Sequence, residues 1–330
     1  MRPIVITQTP FRISFFGGGT DFPGFYQEHG GSVISTSIDK FCNITSRHLP
    51  PFFDYSSELV YSTREHVSSV DEIKHPLIRE TMRWMNVKKI YVAYDADLPG
   101  RSGLGTSSSF AVGMINAFYT LDGKYVDKKQ LAKDAIYVER VLCKESGGIQ
   151  DQIAAAYGGL NRIDFKQDGF NVRPIIISNQ RKCKLNDHLM LFFTGFSRFS
   201  SDVSVEHEKA IKSKTNELLE ILSLVDEAEK VLTGNGDLCQ FGRLLDYTWK
   251  LKRGLTSKVT TNAIDAVYDT AMKAGAVGGK LLGAGGGGFF LFFVEPDKRK
   301  NVLEALSSFM EVPFKFEDGG TRVLYYTPED

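Results

Sequence analysis

Leu98-Pro99-Gly100-Arg101-Ser102-Gly103-Leu104-Gly105-Thr106-Ser107-Ser108-Ser109 passes from a proline turn through glycine into hydroxyl residues just where an apolar, helix-forming run begins. Phosphate sites are built this way. Glycine lacks the Cβ that would hold backbone N–H groups away from an anion, and the first turn of a helix offers unpaired N–H donors and partial positive charge. Thr106, Ser107 and Ser108 add hydroxyls that can touch phosphate oxygens or a magnesium ion. The same residue types also make a plain helix N-cap after a proline turn, so this loop alone leaves both readings open.

Two further glycine clusters narrow the choice. Pro10-Phe11-Arg12-Ile13-Ser14-Phe15-Phe16-Gly17-Gly18-Gly19-Thr20-Asp21 is a strand-like run that stops in three glycines and delivers an acid. Lys280-Leu281-Leu282-Gly283-Ala284-Gly285-Gly286-Gly287-Gly288 is followed by the apolar run Phe289 to Val294. Gly283 to Gly288 has the bare spacing of a dinucleotide loop, but such a loop follows a strand and opens a helix, whereas here a strand-like run comes after it. A Walker loop fails as well, because leucine follows Lys280 where serine or threonine should bind metal. With no H-R-D or D-F-G triplet, a protein-kinase domain is excluded on its own motifs.

Taken together and in this order, the segments resemble the GHMP kinases, the superfamily of galactokinase, homoserine kinase, mevalonate kinase and phosphomevalonate kinase. Pro10, Arg12, Thr20 and Asp21 match the family's first motif, Pro99 through Ser108 the second, and Gly283 through Gly288 the third. Glu139, Gly147-Gly148-Ile149-Gln150-Asp151-Gln152 and Tyr157-Gly158-Gly159 read like its metal and base region. The resemblance runs from about residue 3 to about residue 327. Within the superfamily, the triple-glycine first loop is most similar to the D-glycero-D-manno-heptose 7-phosphate kinases. Gly31 to Lys40, Thr194 to Arg198 and Leu251 to Leu255 share that look, and fucokinase-type enzymes share part of it.

The resemblance implies an α+β fold. Residues 1–185 would form an N-terminal domain like ribosomal protein S5 domain 2, with a left-handed crossover, and residues 186–330 a ferredoxin-like C-terminal domain, the active site lying between. It implies ATP and Mg2+ as cofactors and a small-molecule sugar phosphate as partner, in a monomer or homodimer. Pro99, Gly103, Leu104, Gly105, Thr106, Ser107 and Ser108 would hold the nucleotide, with Ser107 and Glu139 on magnesium. Asp151 would take the acceptor's proton beside Arg12, while Gly18, Gly19, Thr20 and Asp21 hold sugar hydroxyls. Gly283, Gly285 and Gly286 would floor the site, and Arg198 and Lys252 would meet a distal phosphate. The implied reaction is ATP-dependent phosphorylation of the anomeric hydroxyl of D-glycero-D-manno-heptose 7-phosphate, feeding nucleotide-activated heptose for surface glycans. A fucose- or galactose-type 1-kinase is the alternative enzyme, and a non-catalytic sugar and nucleotide sensor the alternative of another class.

The residues themselves also admit plainer roles. Glu139 could pair with Arg140 or Lys144 on a solvated helix face, and Asp151 could cap the helix that carries Ile153-Ala154-Ala155-Ala156. Arg12 could form a surface ion pair, and Thr20 and Asp21 could cap a helix starting near Pro23. Lys252, Arg253 and Lys258 around Gly254 could merely decorate a helix C-terminus, and the third glycine loop could serve close backbone packing.

Composition sets the frame. The 330 residues have room for two domains, and 40 basic against 40 acidic residues give no reason to expect nucleic acid or an anionic membrane as partner. Met1-Arg2-Pro3 is expected to lead directly into a strand, with no signal peptide expected, and the apolar runs fall short of a membrane span. Cys42, Cys143, Cys183 and Cys239 are scattered, as expected for free, mostly buried thiols in a reducing cytoplasm. Strands are predicted at 4–16, 32–47, 89–96, 159–165, 171–177, 189–194 and 289–294. Helices are predicted at about 107–121, 128–142, 203–232, 237–252, 260–274 and 297–310, with Leu218, Leu219, Leu222, Val225 and Ala228 as the buried stripe of the longest.

Overall fold

The structure, a computed structural model, describes residues 3–100, 102–195 and 200–328, the side chains of 200–202 excepted. β1 (Ile4–Phe16) alternates buried and half-buried residues as far as Gln8 and is buried on both faces from Thr9 onward. That switch marks where the strand leaves a solvated sheet face and becomes covered on both sides. α1 (Pro23–His29) leads into the long β2 (Gly31–His48), which runs antiparallel to β1 from Ile4↔Arg47 to Phe16↔Ile34. The hairpin β3 (Ser57–Val60) and β4 (Arg64–Val67), α2 (Pro76–Trp84) and β5 (Ile90–Ala96) follow. Next come α3 (Thr106–Leu121), α4 (Lys128–Ile136), α5 (Gln150–Tyr157) and the hairpin β6 (Asn161–Lys166) and β7 (Gly169–Pro174). Of these, β3, β4 and α2 were not among the elements expected from the pattern, and α5 is the helix over Ile153 to Ala156 that the sequence allowed.

Beyond α6 (Asn179–Asp187), β8 (Leu189–Phe193) opens a second layer with α7 (Ser200–Ala210), α8 (Thr215–Thr233), α9 (Cys239–Arg253) and α10 (Asn262–Lys273). β9 (Ala276–Leu281), β10 (Phe289–Val294), α11 (Arg299–Ala305), β11 (Met310–Glu311), β12 (Phe316–Glu317) and β13 (Arg322–Thr327) complete the chain. The second sheet is antiparallel in the order β11-β8-β10-β9. The first runs β13-β1-β2-β5-β3-β4, with β6 and β12 paired to β2 and β7 to β6. The tail therefore returns to the first sheet, Ile4 pairing with Thr327 and Phe316 with Ile38.

The second half of β1 ties the two layers together. Phe11, Phe15 and Phe16 share a core with Leu191, Phe241, Phe289 and Phe293, and Phe241 meets the edges of Phe15 and Phe16 at 5.2 and 5.0 Å. Such edge-on pairs add about 0.5–1.5 kcal/mol each beyond burial, so the strand that carries Arg12 and Ser14 is clamped from both faces.

The expected single helix at 203–232 is broken. A 3-10 turn at Ile211–Ser213 separates α7 from α8, and Ile211 is buried with Phe22, Phe25 and Leu218, which pins the turn. On α8 the buried stripe is Leu218, Ile221, Leu224, Val225 and Ala228, whereas Leu219 is 41% exposed. The leucine-rich segment offers two overlapping stripes, and packing on β1 and β2 selects one. The helix expected over 128–142 widens after Ile136 into a π turn, Tyr137–Leu142, that contains Glu139. All four cysteines are unpaired, with Cys42 and Cys239 buried, Cys143 partly buried and Cys183 exposed.

Candidate active site

A cavity of ≈ 340 Å³ lies where the first glycine loop, residues 103–108, the start of α5, α7, the end of α9 and the third glycine loop meet. Its nucleotide-loop wall begins at α3, whose N-cap residue is Gly105 in the left-handed conformation (φ 73°) without a side-chain cap. A helix start without a side-chain cap is the arrangement that receives anions. Gly103 faces Gly283 across the cleft floor, and a Cβ on Gly283 would stand 2.5 Å from Gly103 Cα. Only two glycines let these backbones touch.

Glu139 is 1% exposed and does not pair with Arg140 or Lys144. Its carboxylate accepts from Ser107 Oγ (2.9 Å), Ser108 Oγ (2.7 Å) and Gln152 Nε2 (2.5 Å). Ser107 is exposed toward the cavity, and Glu139 Oε1 has that hydroxyl as its one donor among the described residues. One carboxylate oxygen and one hydroxyl, with room left for water and nucleotide oxygens, fit magnesium, which takes few protein ligands in phosphoryl-transfer sites. Among the described residues no three His, Cys, Asp or Glu side chains gather as a metal cluster.

Arg12 is 4% exposed and forms no surface ion pair. Its Nε and Nη2 donate to Asp151 Oδ1 at 2.8 and 2.7 Å, and Nη1 donates to Gly103 O at 2.7 Å. Asp151 caps nothing. It stands in the first turn of α5 after Ile149, a quarter exposed, with Oδ2 free of partners among the described residues. Asp21 accepts from Gly19 N (3.0 Å) and Gln150 N (3.2 Å); burial and the Asp151 charge raise its pKa.

Two lysines are buried in the same wall. Lys252 Nζ donates to Leu281 O and Gly283 O, and burial followed by the Arg12 charge lowers its pKa to about 8. Lys280 Nζ donates to Phe15 O, and burial, followed by the charges of Lys252 and Arg12, holds its pKa well below the usual lysine range. The other cations near Gly254 turn elsewhere: Arg253 pairs with Asp265 and Lys258 with Glu206.

Gly18, Gly19, Asp21, Gly103, Gly105, Thr106, Ser108 and Gly283 all line the cavity with the groups above. Thr20 does not. Its one hydroxyl proton is shared between Gly17 O and Ser32 O while its oxygen accepts from Ser32 N, locking the first loop to β2. Leu104 is buried, its carbonyl accepting from Arg12 N, and Pro99 is exposed outside the cavity. Gly285 and Gly286 pack on Val259, the close backbone packing that the sequence also allowed. Arg198 lies outside the described residues. Sequence reasoning missed Ser14, Gln150, Lys280 and His207 as lining residues. The first three stand inside the quoted motifs; His207 carries no signal in the sequence.

The GHMP kinases N terminal domain model matches residues 72–159 and the GHMP kinases C terminal model residues 224–312. The D-glycero-alpha-D-manno-heptose 7-phosphate kinase of Campylobacter jejuni is 29% identical over 313 residues, covering 91% of this chain and 92% of that protein. The L-fucokinase/L-fucose-1-P guanylyltransferase of Bacteroides fragilis is 26% identical over 91% of this chain but only 35% of its own length. Among solved structures, a D-glycero-D-manno-heptose 1-phosphate kinase from Bacteroides thetaiotaomicron superposes with a TM-score of 0.80 at 24% identity, covering 97% of this chain and 99% of the other. No helix among the described residues is long and apolar enough to cross a membrane. The loops, the cleft and these matches agree that the chain is a phosphotransferase enzyme and belongs to the GHMP kinases.

Proposed function

We propose that this protein is an ATP-dependent sugar kinase that phosphorylates the anomeric hydroxyl of D-glycero-D-manno-heptose 7-phosphate, giving the 1,7-bisphosphate and ADP for the synthesis of nucleotide-activated heptose. The observation that carries the chemistry is the Asp151 carboxylate, fixed through Oδ1 by Arg12 and open at Oδ2 toward the cavity that the nucleotide loop enters. Oδ2 takes the acceptor's proton, the new alkoxide oxygen bonds to the γ-phosphorus, and the bond from phosphorus to the ADP oxygen breaks. Arg12 stabilises the alkoxide as it forms. The N-terminus of α3 holds phosphate oxygens, and Ser107 with Glu139 would hold magnesium, which when bound supplies positive charge to the triphosphate.

The choice of heptose is supported by the Campylobacter relative, which matches along most of both chains. The buried cations of the cleft support an anionic acceptor. We assign the 7-phosphate to Lys252, aided by Arg198 just ahead of α7 in sequence. A screen of heptose 7-phosphate, heptose, L-fucose, D-galactose and mevalonate for ADP release tests this reading. The 7-phosphate should raise kcat/KM over unphosphorylated heptose by about 30- to 1000-fold, as for a charged group left unpaired. Equal values for the two heptoses, or faster turnover of L-fucose, would reject it.

A further inference from the structure

Beyond the residues given a role above, three uncharged side chains reach the cavity from three separate elements. Ser14 comes from β1, Gln150 from the first turn of α5 and His207 from α7. All are buried, His207 to 6% exposure, and Ser14 Oγ, Gln150 Oε1 and His207 Nε2 have no hydrogen-bond partner among the described residues. Buried polar atoms are nearly always paired, because each one left unmade keeps its full desolvation cost. Three such atoms on one cavity mark a place where a ligand supplies the partners.

The three side chains stand over one floor. A Cβ on Gly18 would stand 3.8 Å from Ser14 Oγ and 3.9 Å from Gln150 Nε2, and one on Gly19 would stand 2.9 Å from His207 Nε2. Gly19 thus keeps open the space that His207 faces, and Gly18 lies beside Ser14 and Gln150. His207 is held in place by stacking on Phe22, with ring centroids 4.8 Å apart and planes 16° apart. Burial and the Lys252 charge lower its pKa to about 4, so the imidazole is neutral near pH 7.

We infer that Ser14, Gln150 and His207 form a neutral wall that reads the ring hydroxyls of the acceptor and sets the choice among sugars. The chemistry of the set favours hydroxyls over phosphate. A hydroxyl both donates and accepts, so a row of them satisfies a serine hydroxyl, an amide oxygen and a neutral imidazole nitrogen together. A phosphate oxygen only accepts and would leave Gln150 Oε1 opposed. Anions belong instead with Arg12, Lys252 and Lys280. The inference rests on reading this cleft as a sugar site, and goes beyond it by naming the groups that discriminate.

The test crosses enzyme variants with substrate deletions. Ser14→Ala, Gln150→Met and His207→Phe, the last retaining a ring against Phe22, are assayed with heptose 7-phosphate and with its 2-, 3- and 4-deoxy forms, following ADP release. Each variant should lose about 5- to 100-fold in kcat/KM for the parent sugar, mainly through KM, with the KM for ATP unchanged. Each should also become indifferent to removal of one particular hydroxyl that the wild type requires. Variants that lose activity yet penalise every deoxy sugar as the wild type does, or in which the ATP KM rises in step, overturn the inference. If the wild type does not turn over heptose 7-phosphate, the series is repeated with whichever of L-fucose or D-galactose it phosphorylates, which separates an error in the substrate from an error in the wall. Should His207→Phe fail to fold, Ser14→Ala removes one oxygen only and decides the matter by the same crossed comparison.

Discussion

Replacing Asp151 by asparagine separates chemistry from architecture at a single atom. Asn keeps an oxygen where Oδ1 receives Arg12 Nε and Nη2, at 2.8 and 2.7 Å. It puts an NH2 donor where the open Oδ2 stood, so the proton acceptor is lost and the position is otherwise filled. General-base catalysis contributes roughly 10²–10⁴-fold, about 3–5 kcal/mol of barrier, and kcat of Asp151→Asn should fall by that much. Stability should fall far less. A charge-assisted bond becomes a neutral one, costing about 1–2 kcal/mol, while Arg12 keeps Gly103 O as an acceptor. Asp151→Ala is the harsher change, since it strands a guanidinium only 4% exposed. Its cost should lie near the lower end of the roughly 3–5 kcal/mol for a broken buried pair, because Asp151 is itself partly solvated. Steady-state ADP release gives kcat, thermal unfolding gives stability, and titration with a fluorescent ATP analogue checks the nucleotide site. An Asn variant that retains more than a tenth of wild-type kcat, or whose loss of rate merely follows its loss of folded protein, would refute the assignment of the base.

Glu139→Gln places a donor among the three donors of Ser107, Ser108 and Gln152; the magnesium concentration for half activity should rise roughly 10–100-fold, and an unchanged titration would make Glu139 purely structural. Lys252 titrates near pH 8 when folded against 10.5 for its ordinary value, so between those limits the unfolded chain binds more protons and this residue's contribution to stability rises with pH. Denaturant midpoints measured from pH 7.5 to 10.5 should therefore show a flatter trend in Lys252→Met, while kcat/KM for the phosphorylated sugar in the wild type should decline above about pH 8; parallel stability curves would remove Lys252 from the titration. Gly283→Ala adds a Cβ 2.5 Å from Gly103 Cα at φ 71°, forcing the two loops apart at a cost of about 1–3 kcal/mol and raising the KM for ATP; an unchanged melting temperature would show that the loops yield freely.

The sequence by itself determined the parts of this protein whose physics is local. Gly103 and Gly105 before Thr106, Gly17 and Gly19 after Phe16, and Gly283 after Leu282 each take a positive φ that other residue types rarely adopt, and their order along the chain was enough to indicate the family. The strand at 4–16 and the helix beginning at 106 were legible for the same reason, since period and punctuation lie within a few residues of each other. What only the tertiary structure decided are the pairings across the chain. Arg12 and Asp151 stand 139 residues apart, and only the clamping of β1 against α5 turns a strand residue and a first-turn acid into one ion pair. Lys280 and Lys252 look like surface cations until both layers close over them, and His207 reaches the cleft because a turn at Ile211 divides what reads as one helix. Nor could helical period choose between the overlapping leucine stripes of α8, or place β13 beside β1. A periodic pattern says that a face will be buried; which neighbour buries it is settled by packing among segments far apart in sequence, where local propensity carries no information.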